Sequence, residues 1–243
     1  MRYLFILLLS LNTLCVKADE IYNLLKIPNL KVFKIDNKLG IKYLNTKKDI
    51  VFGASKNIKC KKTKQKNLEK KFQIVSNNMS KYNSEFLKKN NIKFLILCEN
   101  LFVSKINTGG IPNHIKRSLI LDIDFNPYFF ERMIHHEIFH MIQNSNKNLF
   151  NEDYWIKLND KNFKYAECST CSDRLGLEMY ETTYGFLTEY SQSIPSEDMA
   201  EIFSFLMTKN NEVENKILKD PILRSKVQYL KNNLKKIDNN FSF

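Results

Sequence analysis

The sequence predicts an α+β fold, with a small mixed sheet covered on one side by helices and a mostly helical C-terminal lobe behind it. Three observations lead there. Short apolar runs at Asp49–Phe52, Ile92–Cys98 and Arg117–Ile123 are interleaved with a long amphipathic stretch at Asn67–Lys89, which gives strand, helix, strand, strand. Arg132–Gln143 then carries Ile134, Ile138, Met141 and Ile142 at helical spacing. Farther on, Ser196–Leu206 and the Lys-rich Asn211–Asp238, broken at Pro221, read as helices. A chain of 243 residues with 43% hydrophobic content buries a substantial core. The organisation expected is a signal segment over 1–18 and one domain over 19–243. That domain has an α/β lobe over about 19–143 and a helical lobe over about 144–243.

The first eighteen residues have the form of a secretory signal. Arg2 is the positive start, Leu4–Leu11 the apolar core, and Val16-Lys17-Ala18 the cleavage site after Ala18. No later stretch is apolar enough to span a membrane, so a secreted or extracytoplasmic protein without stable membrane insertion is expected. If Cys15 leaves with the signal, Cys60, Cys98, Cys168 and Cys171 remain. Four cysteines in an exported chain imply two disulfides, and of three pairings the preferred one is Cys60–Cys98 with Cys168–Cys171. The Cys168-Ser169-Thr170-Cys171 pair then reads as a loop staple, because no second CxxC accompanies it as in a metal knuckle.

The remaining elements follow in order. Residues 19–57 are mixed apart from the strand at Asp49–Phe52. Leu68, Phe72, Val75, Met79, Tyr82 and Phe86 form the apolar face of one helix over Asn67–Lys89. Gly109-Gly110-Ile111-Pro112-Asn113 reads as a turn. Asn126 is the expected N-cap and Pro127 the first residue of the next helix. Tyr154–Asp160 and Phe163–Tyr165, with the only Trp, are read as packing over the first lobe. Ser196 is the expected cap of a later helix, whose acidic first turn, Glu197 and Asp198, suits the helix dipole. Asn78-Met79-Ser80 and Asn240-Phe241-Ser242 are glycosylation sequons, meaningful only in a eukaryotic secretory pathway.

Of four histidines, His135, His136 and His140 fall within six positions. His136, Glu137 and His140 spell H-E-x-x-H. Residues four apart share a helix face, so His136 and His140 can aim ring nitrogens at one zinc ion. Glu137 lies about 100° further round, placed to take a proton from a metal-bound water. His135 points elsewhere and is read as a packing or supporting residue. No His follows His140, which excludes the metzincin motif and calls for a carboxylate from a later helix as third ligand. Glu197 and Glu201 are i and i+4 on such a helix, so one can bind the metal while the other hydrogen-bonds a ligand histidine. The net charge of +12 comes mostly from Lys. Scarce Arg argues against nucleic-acid recognition, leaving a peptide or protein substrate as the expected partner.

The pairing of H-E-x-x-H with a downstream E-x-x-x-E helix resembles the gluzincin metallopeptidases. Leu187-Thr188-Glu189-Tyr190, followed after six residues by Glu197-Asp198-Met199-Ala200-Glu201-Ile202-Phe203, is similar to a segment of the anthrax lethal factor catalytic domain and related secreted zinc metallopeptidases. The matching motifs span roughly residues 117–206, and the CxxC departs from the lethal factor pattern. The resemblance implies a zincin-like fold. It also implies a zinc site of His136, His140 and Glu197, Glu137 as general base and Tyr190 assisting catalysis. Two rivals stand beside it: a catalytically inactive zincin-fold binding protein, and an exported basic module for acidic partners, which takes H-E-x-x-H as fortuitous and rests on the Lys-rich face of residues 60–93.

Overall fold

The computed structural model describes residues 29–53, 55–171, 173–180 and 183–243; the signal segment expected over 1–18 lies outside them. Among the described residues eight strands form an α+β architecture around one long strand. These are β1 (Leu30–Asp36), β2 (Ile41–Thr46), β3 (Ile50–Phe52), β4 (Ile58–Lys61), β5 (Phe94–Val103), β6 (Ile106–Asn107), β7 (Gly110–Asn113) and β8 (Ser118–Asp122). The first half of β5 lies parallel between β2 and β8, with Leu95 opposite Tyr43 and Leu119. Its second half turns to pair antiparallel with β4 and β6. At the other edge β7 runs antiparallel to β8, Gly110 opposite Leu121.

Alternation along β5 and β8 sorts side chains onto two faces. Leu95, Leu97, Leu119 and Leu121 enter the main core, whereas Ile96, Cys98 and Ile120 meet Ile50, Ile58 and Cys60 from the curled β3–β4 hairpin. The sheet is therefore larger than the sequence implied, and its second face holds its own small cluster. Cys60–Cys98 joins β4 to β5 there, and Cys168–Cys171 closes the second disulfide, the pairing the sequence favoured.

The helices are α1 (Gln65–Met79), α2 (Ser84–Lys89), α3 (Phe130–Ser145), α4 (Glu152–Ile156), α5 (Pro195–Ile217) and α6 (Pro221–Ile237). The single helix expected over Asn67–Lys89 is two, because Asn83 turns extended and caps α2 by accepting from Phe86 N. Asn126 and Pro127 form a turn before α3, which begins only at Phe130. Ser196 is not the cap of α5: Ile194 takes the extended cap position and Pro195 starts the helix, its missing N–H being one that no helix start can use. Gly109–Asn113, expected as a turn, runs on into strand β7. The aromatic segment packs on the C-terminal helices, with Trp155 against Tyr229 of α6. The main core is continuous from Leu95 on the sheet through Ile138 on α3 to Phe203 on α5 and Leu230 on α6. Among the described residues no helix is long and apolar enough to cross a membrane.

Candidate metal centre

Helix α3 lies between the sheet and α5, buried along nearly its whole length. Its length puts His136 and His140 one turn apart facing α5, and the start of α5 carries Glu197 up to them. His136 Nε2 is 2.8 Å from Glu197 Oε2 and 3.1 Å from His140 Nε2, and His140 Nε2 is 3.3 Å from the same carboxylate oxygen. The three donors form the His/His/Glu group, among the described residues, whose spacing could hold a metal ion.

The donors fit zinc on two counts. Two nitrogens held tetrahedrally at 2.0–2.1 Å from zinc are about 3.3 Å apart, close to the observed separations. The His136–His140 contact also brings together two ring nitrogens that can share at most one proton between them, while a carboxylate faces both. A divalent cation satisfies all three at once.

The surroundings fix the ligand orientation. Glu201, one turn along α5 from Glu197, accepts from the other ring nitrogen, Nδ1, of His136 at 2.9 Å. Its second oxygen accepts from Arg132 at 2.7 Å and from the Thr188 hydroxyl at 2.9 Å. Burial alone would push Glu201 up, but Arg132, His136 and Thr188 outweigh it and hold its carboxyl below the usual range. Burial likewise works against a charged His136. Its hydrogen bonds to Glu197 and Glu201 prevail and push it up to about 10 in the metal-free site. Glu137 is buried and raised, burial outweighing the nearby histidines. Tyr190 sits on a 3-10 turn (Tyr190–Gln192), its ring centroid 6.1 Å from that of His136. Burial, then the charges of Glu197 and Glu137, hold its phenol well above its ordinary range. His136, Glu137, His140, Tyr190 and Glu197 share one open cleft of about 840 Å³.

A protein family described as "putative zinc-binding metallo-peptidase" matches residues 113–241, which is more than half of the 243 residues. The chain belongs to this family. The match takes in all five of these residues. Among solved structures, that of "a putative zinc-binding metallo-peptidase from Bacteroides caccae" is similar over 70% of this chain and 69% of its own, with 20% identity and a TM-score of 0.47. Comparison with curated proteins gives no match.

Two residues around the site in this metallo-peptidase family chain, Arg132 and Gly110, carry no motif of their own. Arg132 also donates to Leu177 O at 2.5 Å, tying α3 to the loop before the 3-10 turn. Gly110 on β7 lies so near Glu137 that a Cβ there would stand 2.5 Å from Glu137 Cγ and 3.0 Å from Ile120 O. A side chain at position 110 would need Glu137 to move. Their only sequence signals are a glycine two residues before Pro112 and an arginine one helical turn before His136.

His135 faces away from the metal donors. Asn78 donates to Ile74 O and Glu131, so its oxygen accepts from His135 Nε2 at 2.9 Å, and Tyr82 OH donates to Nδ1 at 2.6 Å. Burial and Lys81 keep this ring neutral. Asn78 is itself 2% exposed, so its sequon is closed to glycosylation in this fold. Asp198, next to Glu197, turns inward instead. One of its oxygens accepts from Trp155 Nε1 at 2.8 Å, Tyr165 OH at 2.6 Å and Lys226 Nζ at 2.6 Å.

Proposed function

We propose that the chain is an exported zinc-dependent peptidase of gluzincin type that hydrolyses peptide bonds in a peptide or protein substrate. One observation carries the reading: the convergence of His136 Nε2, His140 Nε2 and Glu197 Oε2 within 2.8–3.3 Å, beside a buried Glu137 in an open cleft. Two imidazoles and one carboxylate are the protein ligands of a hydrolytic zinc site, with a position left open. Zinc bound there supplies Lewis acidity, making a water acidic near neutral pH and polarising a carbonyl.

The side chains do the rest. Glu137 accepts the proton of the attacking water and passes it to the leaving amine. Its raised pKa brings it nearer the neutral range, where one group serves as base and then acid. Tyr190 stays protonated at any working pH and donates its O–H to the oxyanion of the tetrahedral intermediate. Glu201 accepts the Nδ1 proton of His136, which leaves Nε2 free as ligand, and Arg132 with Thr188 keeps Glu201 in place. Export is supported by the two disulfides. Kinship with the lethal factor catalytic domain rests on the segment from Leu187 to Phe203.

The test is metal content of the purified mature chain beside His140→Ala and Glu197→Ala, followed by hydrolysis of a mixed fluorogenic peptide library. One zinc per chain, lost or much weakened in both variants, with chelator-sensitive cleavage by the wild type, is the expected result. Absence of zinc in the wild type after reconstitution would overturn the reading.

A further inference from the structure

The Cys168–Cys171 staple lies on the wall of the cleft, where the chemistry above leaves it unused. The disulfide closes four residues into a small ring, and Cys171 N donates to Cys168 O at 3.2 Å across it. The two residues inside the ring, Ser169 and Thr170, line the same cleft as His136, Glu137, His140, Tyr190 and Glu197. Ser169 and Tyr190 face each other across this part of the cleft, and Ser169 acts on the phenol, favouring its ionised form. The chain on either side of the ring is tied to the turn that carries Tyr190. Ala166 N donates to Ser193 O at 2.8 Å, and Tyr190 N donates to Gly176 O at 3.1 Å. The segments flanking the ring therefore hold the Tyr190 turn at both ends, and Ser169 of the ring lies beside its side chain.

A disulfide closing so short a loop removes little entropy from the unfolded chain, so its effect is local geometry rather than global stability. The two disulfides also differ in access. Cys60 and Cys98 are 2% and 0% exposed, whereas Cys168 is half-buried and Cys171 exposed. A thiol in solution meets the Cys168–Cys171 sulfurs first.

We propose that the Cys168–Cys171 ring is a positioning element for Tyr190, with Ser169 its contact residue, and that reduction of the ring by thiols switches it off. The inference rests on the role proposed above for Tyr190. A phenol has one proton and an oxygen that can accept. With Ser169 donating to that oxygen, the Tyr190 proton is left to point at the oxyanion. In the reductive step two thiols of the glutathione class supply two electrons and two protons. The Sγ–Sγ bond breaks, Cys168 and Cys171 become thiols, and the reductant leaves as its own disulfide.

The experiment compares the zinc-loaded wild type with the Cys168→Ser/Cys171→Ser double variant, Ser169→Ala and Ser169→Thr. The double variant opens the ring without a reductant that could chelate zinc. Three readouts are taken: zinc content, hydrogen exchange of the peptide containing Tyr190, and kcat and KM on the peptide the wild type cleaves best. The double variant and Ser169→Ala are expected to keep zinc and KM, to exchange faster at the Tyr190 peptide, and to lose at least about tenfold in kcat. That loss is part of the ~10²–10³ a single oxyanion donor contributes. Ser169→Thr, which keeps the hydroxyl, should recover most of it. Unchanged exchange in the double variant would overturn the proposal, and so would zinc lost together with activity. Faster exchange in a protein whose wild type binds zinc but cleaves nothing would uphold the brace and sink the peptidase reading instead. A glutathione titration with mass mapping of alkylated cysteines should label Cys168 and Cys171 before Cys60 and Cys98; the reverse order would remove the redox part.

Discussion

Glu137 stands between β7 and the metal donors, and the room it occupies exists because residue 110 has no side chain. Gly110→Ala places a methyl 2.5 Å from Glu137 Cγ and 3.0 Å from Ile120 O. Strand β7 cannot retreat from that contact, since Gly110 is paired with Leu121 on β8. Glu137 is the part that moves. The expected outcome is a chain that keeps its zinc and loses at least about tenfold in kcat, because displacement by an ångström costs a catalytic group much of its effect. Normal zinc with normal kcat in Gly110→Ala would show that Glu137 is not held by β7. Glu137→Gln is the sharper change, as it keeps the shape and removes the carboxylate proposed as base. It should retain zinc and lose about 10²–10⁴ in kcat, read by metal analysis and peptide hydrolysis on one preparation.

Helices α5 and α6 are joined by the Asp198–Lys226 pair, both side chains 0% exposed, with the ammonium also bonding Gly185 O at 2.7 Å. Lys226→Met leaves the Asp198 charge buried without its partner and is expected to cost about 3–5 kcal/mol. Asp198→Asn/Lys226→Met, which removes both charges, should recover a large part, as measured by urea unfolding. A double variant no more stable than Lys226→Met would mean the pair is not what joins the helices. The pair also shows what the sequence hid. Lys226 looks like any lysine of a solvated helix, and its partner lies 28 residues away, beyond any local pattern. By contrast α3 was legible because its apolar spacing and its metal motif are both local. Strand β1 was missed for the opposite reason: it is an edge strand with Val32 and Ile35 about half exposed, so burial imposes no alternation on it. Strand β7 was read as a turn because Gly110 and Pro112 are turn formers. Here glycine answers to the approach of Glu137, and Pro112 is tolerated on an edge strand. Glu197 and Glu201 were legible as a pair, but which of them faced Nε2 of His136 depended on packing between α3 and α5.

Across the whole molecule the main core runs unbroken from the sheet to α6, so a free-energy change at α3 is expected to act on the unfolding of both lobes together. His135 and His136 are neighbours on that helix, and their titrations act on global stability in opposite directions. In the metal-free protein His136 is raised to about 10 by its two carboxylate partners, against about 6.5 in an unfolded chain. Its contribution is fully present below pH 6.5 and is lost as pH rises toward 10. His135 is lowered by burial and by Lys81. Its contribution is present above pH 6.5 and is lost as pH falls below that value, when the unfolded chain takes up a proton that the fold refuses. Each limb has a slope of up to about 1.4 kcal/mol per pH unit. The metal-free protein should therefore be most stable near pH 6.5, as followed by Trp155 fluorescence in urea. Zinc cancels the alkaline limb. Ligand binding requires a deprotonated His136 Nε2, so the metal displaces a proton and binds more tightly as pH rises. The stability gained from a fixed excess of zinc grows with that affinity. The gap between zinc-loaded and metal-free midpoints should widen from pH 6.5 to 9, while His135→Gln flattens only the acid limb. A metal-free midpoint that stays level from pH 6.5 to 9.5 would show that His136 holds no proton between Glu197 and Glu201, and that the three donors are not poised to exchange that proton for a cation.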